Sequence, residues 1–315
     1  MAFWNRKKAP EKRELTFDDP IGWNPNGKIT ATPDNVTGIP AVFSAVNLLA
    51  TNIAKLPISV WKLKKDGSKE LDRNHPVSKL LTIRVNPYQS AYDFIRTMMN
   101  HYLLWGNAYI DLVYDDRGNV TEMWLFNPAA TGAVLDTDNG EIYYNTQVPL
   151  FNTAVVRKEY ELIHLKHYSR TGFEGCSPIS LSQDMLGQQM GMNNFNKKFY
   201  ENGTMSTQVI KTAEFLNTEA KGNIRGAWEK ANSGLDNAHR IAILDGGLDI
   251  QTIGMPIKDM QFIETQQFNL RQIASIFNIP AFMIGDNGGL KYSNMENQML
   301  SFVREALEPI LVMIE

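Results

Sequence analysis

The stretch from Asp259 to Glu315 constrains this chain most, because it joins two helical patterns through a segment that no helix or central strand accepts. Between Met260 and Asn278, apolar residues recur at Ile263, Leu270, Ile273, Ala274 and Phe277, the stripe of an amphipathic helix. Ile279-Pro280 closes that helix, since the residue before a proline is pushed out of the α region. Ile284-Gly285-Asp286-Asn287-Gly288-Gly289-Leu290-Lys291-Tyr292 follows, with three glycines in five positions. Ser293-Asn294-Met295-Glu296 has the spacing of a capping box, with the Ser293 oxygen taking the N3 amide and Glu296 reaching back. Met295, Met299, Phe302, Val303, Ala306, Ile310 and Met313 give the new helix an apolar face. Pro309 lies inside it, removes the hydrogen bond to the Glu305 carbonyl and predicts a kink.

The chain's 315 residues are enough to bury a large core, in two or more domains. At 43% apolar and 21% charged, the composition is that of a soluble globular protein. No apolar run approaches ~18 residues, so no transmembrane helix is expected. The basic start, Met1 to Lys8, has no hydrophobic stretch after it and does not read as a secretory signal. A single cysteine, Cys176, rules out an internal disulfide framework and suits a reducing compartment. A net charge of −3 argues against a protein that grips duplex DNA, which is usually basic. Contact with DNA would be loose or confined to a few local cations.

Residues 1–37 are polar, lack apolar periodicity and read as an extended or disordered, flexible N-terminal arm. Pro40 then opens a core helix with Val42, Val46, Leu49, Ile53 and Leu56 on one face, stopped by Pro57. Ile58–Leu63 reads as a strand, His75–Leu81 as a short helix, and Ser90-Ala91-Tyr92-Asp93 as the cap of a helix ending at Gly106. Ala108–Tyr114 and Val120–Phe126 form a hairpin around Asp115–Asn119, and further strands are expected near Glu141–Val148 and Tyr160–His164. Hairpins rather than βαβ units connect these strands, so the class is α+β. Ser177-Pro178 opens a long helix with Leu181, Met185, Met192, Phe195 and Phe199 on its face. Gly187 and Gly191, four apart within it, mark either a weak surface helix or, the reading preferred here, the close approach of a neighbouring helix. Asn202-Gly203 closes it. A small strand–helix–strand–strand unit over about 204–256 lies between this helix and the next, which reads as a stalk carrying a tip.

No catalytic constellation emerges. His75, His101, His164, His167 and His239 are the only histidines. His164 and His167, three apart at a strand end, would point to opposite faces and cannot share a metal. Cys176 reads as a structural thiol. There is no G-x-S-x-G, P-loop, G-x-G-x-x-G or H-E-x-x-H, and Asp245-Gly-Gly-Leu-Asp249 has too few carboxylates for calcium. Catalytic residues, metal and cofactor are expected to be absent. In the glycine segment Lys291 beside Tyr292 has the means to touch a phosphate backbone; the competing reading is a plain surface connection.

Several segments, taken in order, resemble one family. They are Val42–Pro57, His75-Pro-Val-Ser-Lys-Leu-Leu81, Trp105-Gly-Asn-Ala-Tyr109, Gly175-Cys-Ser-Pro178, Phe199-Tyr-Glu-Asn-Gly203, Phe277–Gly285, and Tyr292-Ser-Asn-Met-Glu296 running into Leu307-Glu-Pro309. From about Pro40 onward the chain resembles the portal, or head–tail connector, proteins of long-tailed double-stranded DNA bacteriophages. The resemblance implies an α+β wing over 38–176 and stem helices at 177–203 and 257–279. It implies a clip over 204–256, a wing return and tunnel loop over 280–292, and a kinked tunnel helix over 293–315. Portal proteins continue into a helical crown, which is expected to be absent from this chain.

The resemblance further implies a homo-oligomeric ring, usually dodecameric, at one capsid vertex, in the virion and in the host cytoplasm during assembly. Double-stranded viral DNA would pass through it without base readout, touched by Asn287, Gly288, Gly289, Leu290, Lys291 and Tyr292. Implied partners are the terminase large subunit, which supplies the energy, the capsid or scaffold protein, and the head–tail adaptor. No membrane is implied. Mild acidity suits a channel, because strong neutralisation of phosphates would act as a brake. A ring needs one patch docking on a different patch of the next copy, and apolar stem helices could supply part of it. The rival readings are a phage-associated nuclease or hydrolase using scattered carboxylates, and another head-completion protein without a channel.

Overall fold

A computed structural model describes residues 29–136, 138, 140–148, 153–201, 208–212, 217–232, 248–252, 262–286 and 292–315. It mixes helices with antiparallel strand pairs, as the hairpin pattern predicts. Helix α1 (Pro40–Ala54) starts on a proline, whose fixed φ suits the first turn. Its stripe of Val42, Val46, Leu49 and Ile53 is buried. The helix stops at Ala54, short of Leu56, which is exposed rather than on the core stripe. Strands β1 (Trp61–Leu63) and β2 (Lys69–Leu71) form a short exposed hairpin, smaller than the strand expected from Ile58.

Helix α2 (Pro76–Thr82) is capped by His75, whose Nδ1 accepts the Val77 amide at 3.3 Å. Helix α3 (Ala91–Trp105) is capped by Ser90, whose hydroxyl oxygen accepts the Asp93 amide at 3.1 Å. Gly106, at φ 76°, ends α3 in the left-handed region. Phe94, Met98, Met99 and Tyr102 from α3 meet the α1 stripe in one core, joined by Ile179, Leu186, Ile273, Phe302 and Ile310 from later helices. Burying a leucine- or phenylalanine-sized side chain contributes about 1.5–3 kcal/mol, so this α1–α3 seam is strongly stabilising.

Strands β3 (Asn107–Tyr114), β4 (Val120–Phe126) and β8 (Leu162–Lys166) form one sheet in the order β4-β3-β8. A second sheet contains β5 (Thr131–Leu135), β6 (Ile142–Val148) and β7 (Thr153–Lys158). Strands β5 and β7 lack strong alternation and escaped the sequence reading. The sheets are tied by a bidentate pair: Arg157 donates from Nε to Asp111 Oδ1 at 2.6 Å and from Nη2 to Oδ2 at 3.3 Å. Asp111 is buried on β3, so its charge is compensated within the protein.

Trp105-Gly-Asn-Ala-Tyr109 and Gly175-Cys-Ser-Pro178 meet as one clamp. Asn107 Nδ2 donates to the Gly175 carbonyl at 2.8 Å, and the Gly175 amide donates back to Asn107 Oδ1 at 2.7 Å. Ser177 Oγ donates to the Leu104 carbonyl at 2.6 Å. A β-carbon on Gly106 would collide with the Cys176 carbonyl, and one on Gly175 with the Gly106 carbonyl, so both positions need glycine. His164 donates from Nε2 to the same Asn107 Oδ1 at 2.8 Å and stacks on Tyr109, with ring centroids 4.3 Å apart. His167 lies against Tyr102, centroids 5.0 Å apart. The Nδ1 atoms of His101, His164 and His167 are buried without partners. Burial pushes His101 and His164 down to about 4, and lowers His167. Among the described residues no group of histidines, cysteines and carboxylates could hold a metal.

Helix α4 (Pro178–Leu181) is capped by Ser177, and α5 (Gln183–Glu201) follows after a break at Ser182. The reading of this segment needs two corrections. Ile179 and Leu186 enter the core, whereas Leu181 and Phe195 are exposed, because the break at Ser182 rotates the stripe. Gly187 is not matched by a helix: a β-carbon there would collide with the carbonyl of Ile29, so the close neighbour is the extended segment around Ile29–Ala31. Asn202-Gly203, the proposed stop, lies outside the described residues. Strand β9 (Gln208–Thr212) pairs with β10 (Leu248–Thr252), and α6 (Thr218–Asn232) lies between them in sequence. Asn217 Oδ1 accepts the Ala220 amide at 2.8 Å and caps α6. Of the strand–helix–strand–strand unit, residues 233–247 lie outside the described residues.

Candidate functional site

Helix α7 (Phe262–Ile276) carries Ile273 and Ala274 into the core. Its terminator is Asn278, at φ 52°, not the Ile279-Pro280 step alone. The Ile279 amide donates to the Ala274 carbonyl at 2.9 Å and the Asn278 amide to the Ser275 carbonyl at 3.2 Å. This is a Schellman stop with asparagine at the left-handed position, a residue that tolerates it better than most. Pro280 leads into a 3₁₀ turn, Ala281–Ile284, which Gly285 ends at φ 112°.

Two contacts fix the shoulder of the glycine loop. Arg271 Nε on α7 donates to Asp286 Oδ2 at 2.5 Å. That carboxylate is almost fully buried, and its hydrogen bond and charge push the exposed Arg271 guanidinium further up. The Asp286 amide donates to the Ala281 carbonyl at 3.1 Å. Of the loop residues singled out for DNA contact, Asn287, Gly288, Gly289, Leu290 and Lys291 lie outside the described residues. Tyr292 is the first residue of helix α8 (Tyr292–Ser301) rather than the last of the loop. Ser293 therefore falls inside the helix, two positions past the N-cap that the capping box assigns it, and Glu296 is exposed.

Beyond α8 the chain runs through a π-helical segment, Phe302–Leu307, into helix α9 (Glu308–Ile314). Pro309 stands in the first turn of α9. The Glu308 amide reaches back five residues to the Val303 carbonyl, the π pattern. Pro309 has no N–H to give to Glu305, and the Glu305 carbonyl instead accepts Asn278 Nδ2 at 2.6 Å. One asparagine thus both stops α7 and satisfies the carbonyl that the proline strands. Phe302, Ala306, Leu307 and Ile310 are buried, but Met299 and Val303, expected on the same apolar face, are exposed. The π turn adds a residue, which shifts the stripe.

Beside this shoulder a groove of about 960 Å³ opens between the start of α1, α5 and α7. Gln189, Asn193, Asn196, Gln266 and Gln267 line it with carboxamides, over apolar side chains that include Leu270 and Ile273. Asn269 Nδ2 donates to Gln189 Oε1, tying α7 to α5. Among the described residues Asp286 is the one charged side chain in the lining, and it already carries Arg271. Among the described residues the arrangement holds no nucleophile–base pair and no cation cluster; it offers a hydrogen-bonding surface beside the Gly285–Asp286 shoulder.

The family described as phage portal protein matches residues 40–315. The probable portal protein of Streptomyces phage phiC31 is 28% identical over 302 residues, covering 91% of this chain and 64% of the relative. The portal protein of Enterobacteria phage HK97 is 26% identical over 288 residues, covering 90% of this chain and 67% of the relative. The chain thus spans about two thirds of the length of these curated relatives. Among solved structures, an HK97-family phage portal protein from Corynebacterium diphtheriae aligns with a TM-score of 0.66 at 17% identity, covering 92% of this chain and 89% of that one. A chain in the neck of a native gene transfer agent particle, computed with C12 symmetry, aligns with a TM-score of 0.63 at 23% identity, covering 93% and 79%.

Proposed function

The chain belongs to the phage portal protein family, and from that premise we propose that it is the structural DNA channel of a capsid vertex, not an enzyme. Copies form a ring, a dodecamer by analogy with the C12 neck, through which double-stranded DNA enters during packaging and leaves at ejection. The observation that carries this reading is a family match that runs unbroken from residue 40 to residue 315. Residues 38–176 act as the wing, 177–203 and 257–279 as the stem, and 204–256 as the clip, which meets the terminase large subunit and later the head–tail adaptor. Residues 280–292 are the wing return and tunnel loop, and 293–315 the tunnel helix, bent at Pro309.

Loop residues Asn287–Lys291, with Tyr292 at the head of α8, ring the narrowest point, and Lys291 touches phosphate without base readout. The physics supports weak contact. Each phosphate neutralised steepens the salt dependence of binding by about 0.9 log units, and the chain's net charge of −3 opposes a ring that neutralises many of them. The Arg271–Asp286 pair fixes the point from which the loop departs. The ring is tested by negative-stain microscopy of the purified chain: holed rings are expected, and uniform monomers overturn the reading. The loop is tested separately, by Lys291→Ala and by deletion of Gly288-Gly289; reduced retention of packaged DNA is expected, and unchanged packaging and retention counts against it.

A further inference from the structure

The exposed side of α8 carries Met299, Leu300 and, just into the π turn, Val303, with 46%, 50% and 51% of their surfaces accessible. They stand at i, i+1 and i+4, a contiguous apolar knob facing away from the core that Phe302, Ala306 and Leu307 enter. The same protomer leaves open the groove between α1, α5 and α7, whose apolar floor is rimmed by carboxamides. Knob and groove lie on either side of one loop: the groove ends at Gly285 and Asp286, and α8 begins at Tyr292.

We propose that the groove is a socket for the Met299–Leu300–Val303 knob of the next copy in the ring. This rests on the ring reading above and goes further, by naming the two surfaces that meet. Three observations select a second copy as the occupant. Among the described residues the socket's one charged side chain, Asp286, takes Arg271, so a phosphate or a charged peptide finds no free counter-ion among them, whereas a neutral apolar knob brings no charge to desolvate. At about 960 Å³ the socket stands at the upper end of the roughly 300–1,000 Å³ that holds a drug-sized body, room enough for three side chains. Exposed Asn297 and Ser301 flank the knob and match the Gln and Asn rim in hydrogen-bonding character. A patch on one copy that docks on a different patch of the next is the heterologous contact a closed ring requires. Docking would brace each loop from both sides: its own shoulder at Asp286 would stand beside the incoming α8 of the neighbour.

The test is a cysteine pair in the full chain with Cys176 replaced by alanine. Ser44 lines the groove and is exposed, as is Leu300 on the knob. Under mild oxidation, Ser44→Cys/Leu300→Cys is expected to give a ladder of covalent oligomers on a denaturing gel. A mixture of the two single-cysteine chains is expected to give dimers only. Leu300→Glu, with circular dichroism matching the parent, is expected to raise the concentration needed for ring assembly at least roughly tenfold, as burying an unpaired carboxylate would. Rings that form by microscopy without any crosslinked ladder, and that tolerate Leu300→Glu, overturn the socket while leaving the ring reading intact. A parent chain that never forms rings overturns both.

Discussion

Asn278 concentrates two demands in one side chain. Its backbone takes the left-handed turn that stops α7, and its amide covers the Glu305 carbonyl that Pro309 leaves without a partner. Asn278→Gly keeps the backbone conformation and removes only the second contact. It is expected to cost about 1 kcal/mol, a typical net hydrogen-bond contribution. In a Pro309→Ala background, where residue 309 regains an N–H, the same change should cost clearly less; urea denaturation of the four proteins measures the coupling, and equal costs in both backgrounds would separate the two residues. The buried histidines set a pH dependence. The unfolded chain takes up protons near the usual 6.5, whereas folded His101 and His164 do so only near 4. Stability is therefore whole above about pH 6.5 and falls as pH drops towards 4. With partial access of water to these rings, the loss is on the order of 1–2 kcal/mol for each. His101→Phe should flatten that slope, measured as melting temperature against pH.

At the scale of elements, the joints between units rest on few contacts. The Arg157–Asp111 pair links the two three-stranded sheets, with Asp111 nearly fully buried and Arg157 partly open. Asp111→Ala strands Arg157 and is expected to destabilise by about 3 kcal/mol, the low end for a broken buried pair; a denaturation midpoint unchanged from the parent would show that the sheets hold without it. Gly187→Ala drives a methyl into the Ile29 backbone and should release the 29–31 segment from α5, seen as faster proteolysis near residue 29 with the core unaffected. These elements differ in how far the sequence reveals them. α1, α3 and the β3–β4 hairpin were legible because period and caps agree. β5 and β7 were not, since their pairing partners and not their own alternation define them. The clamp between Asn107 and Gly175 joins residues 68 apart, and no local pattern announces such a contact. At the site, Pro309 stranding Glu305 was legible, but its rescue by Asn278 was not. The apolar pattern of 295–313 counted core and surface residues alike, because periodicity records that a side chain is apolar and not what covers it.

For the whole molecule, the protomer reads as incomplete alone. Apolar side chains stand out on α8, at Phe268 on α7 and on the β1–β2 hairpin, where Trp61 and Leu63 are 56% and 69% exposed. A ring of copies gives such surfaces neighbours, and no helix of the described residues is long and apolar enough to place them in a membrane. The central claim is that many copies surround a pore with the glycine loop at its inner lip. Its most direct test is to label Gly289→Cys, in a Cys176→Ala background, with maleimide–gold and average ring images end-on. The account predicts gold density at the rim of the central hole. Gold at the outer circumference, or particles without a hole, would contradict it.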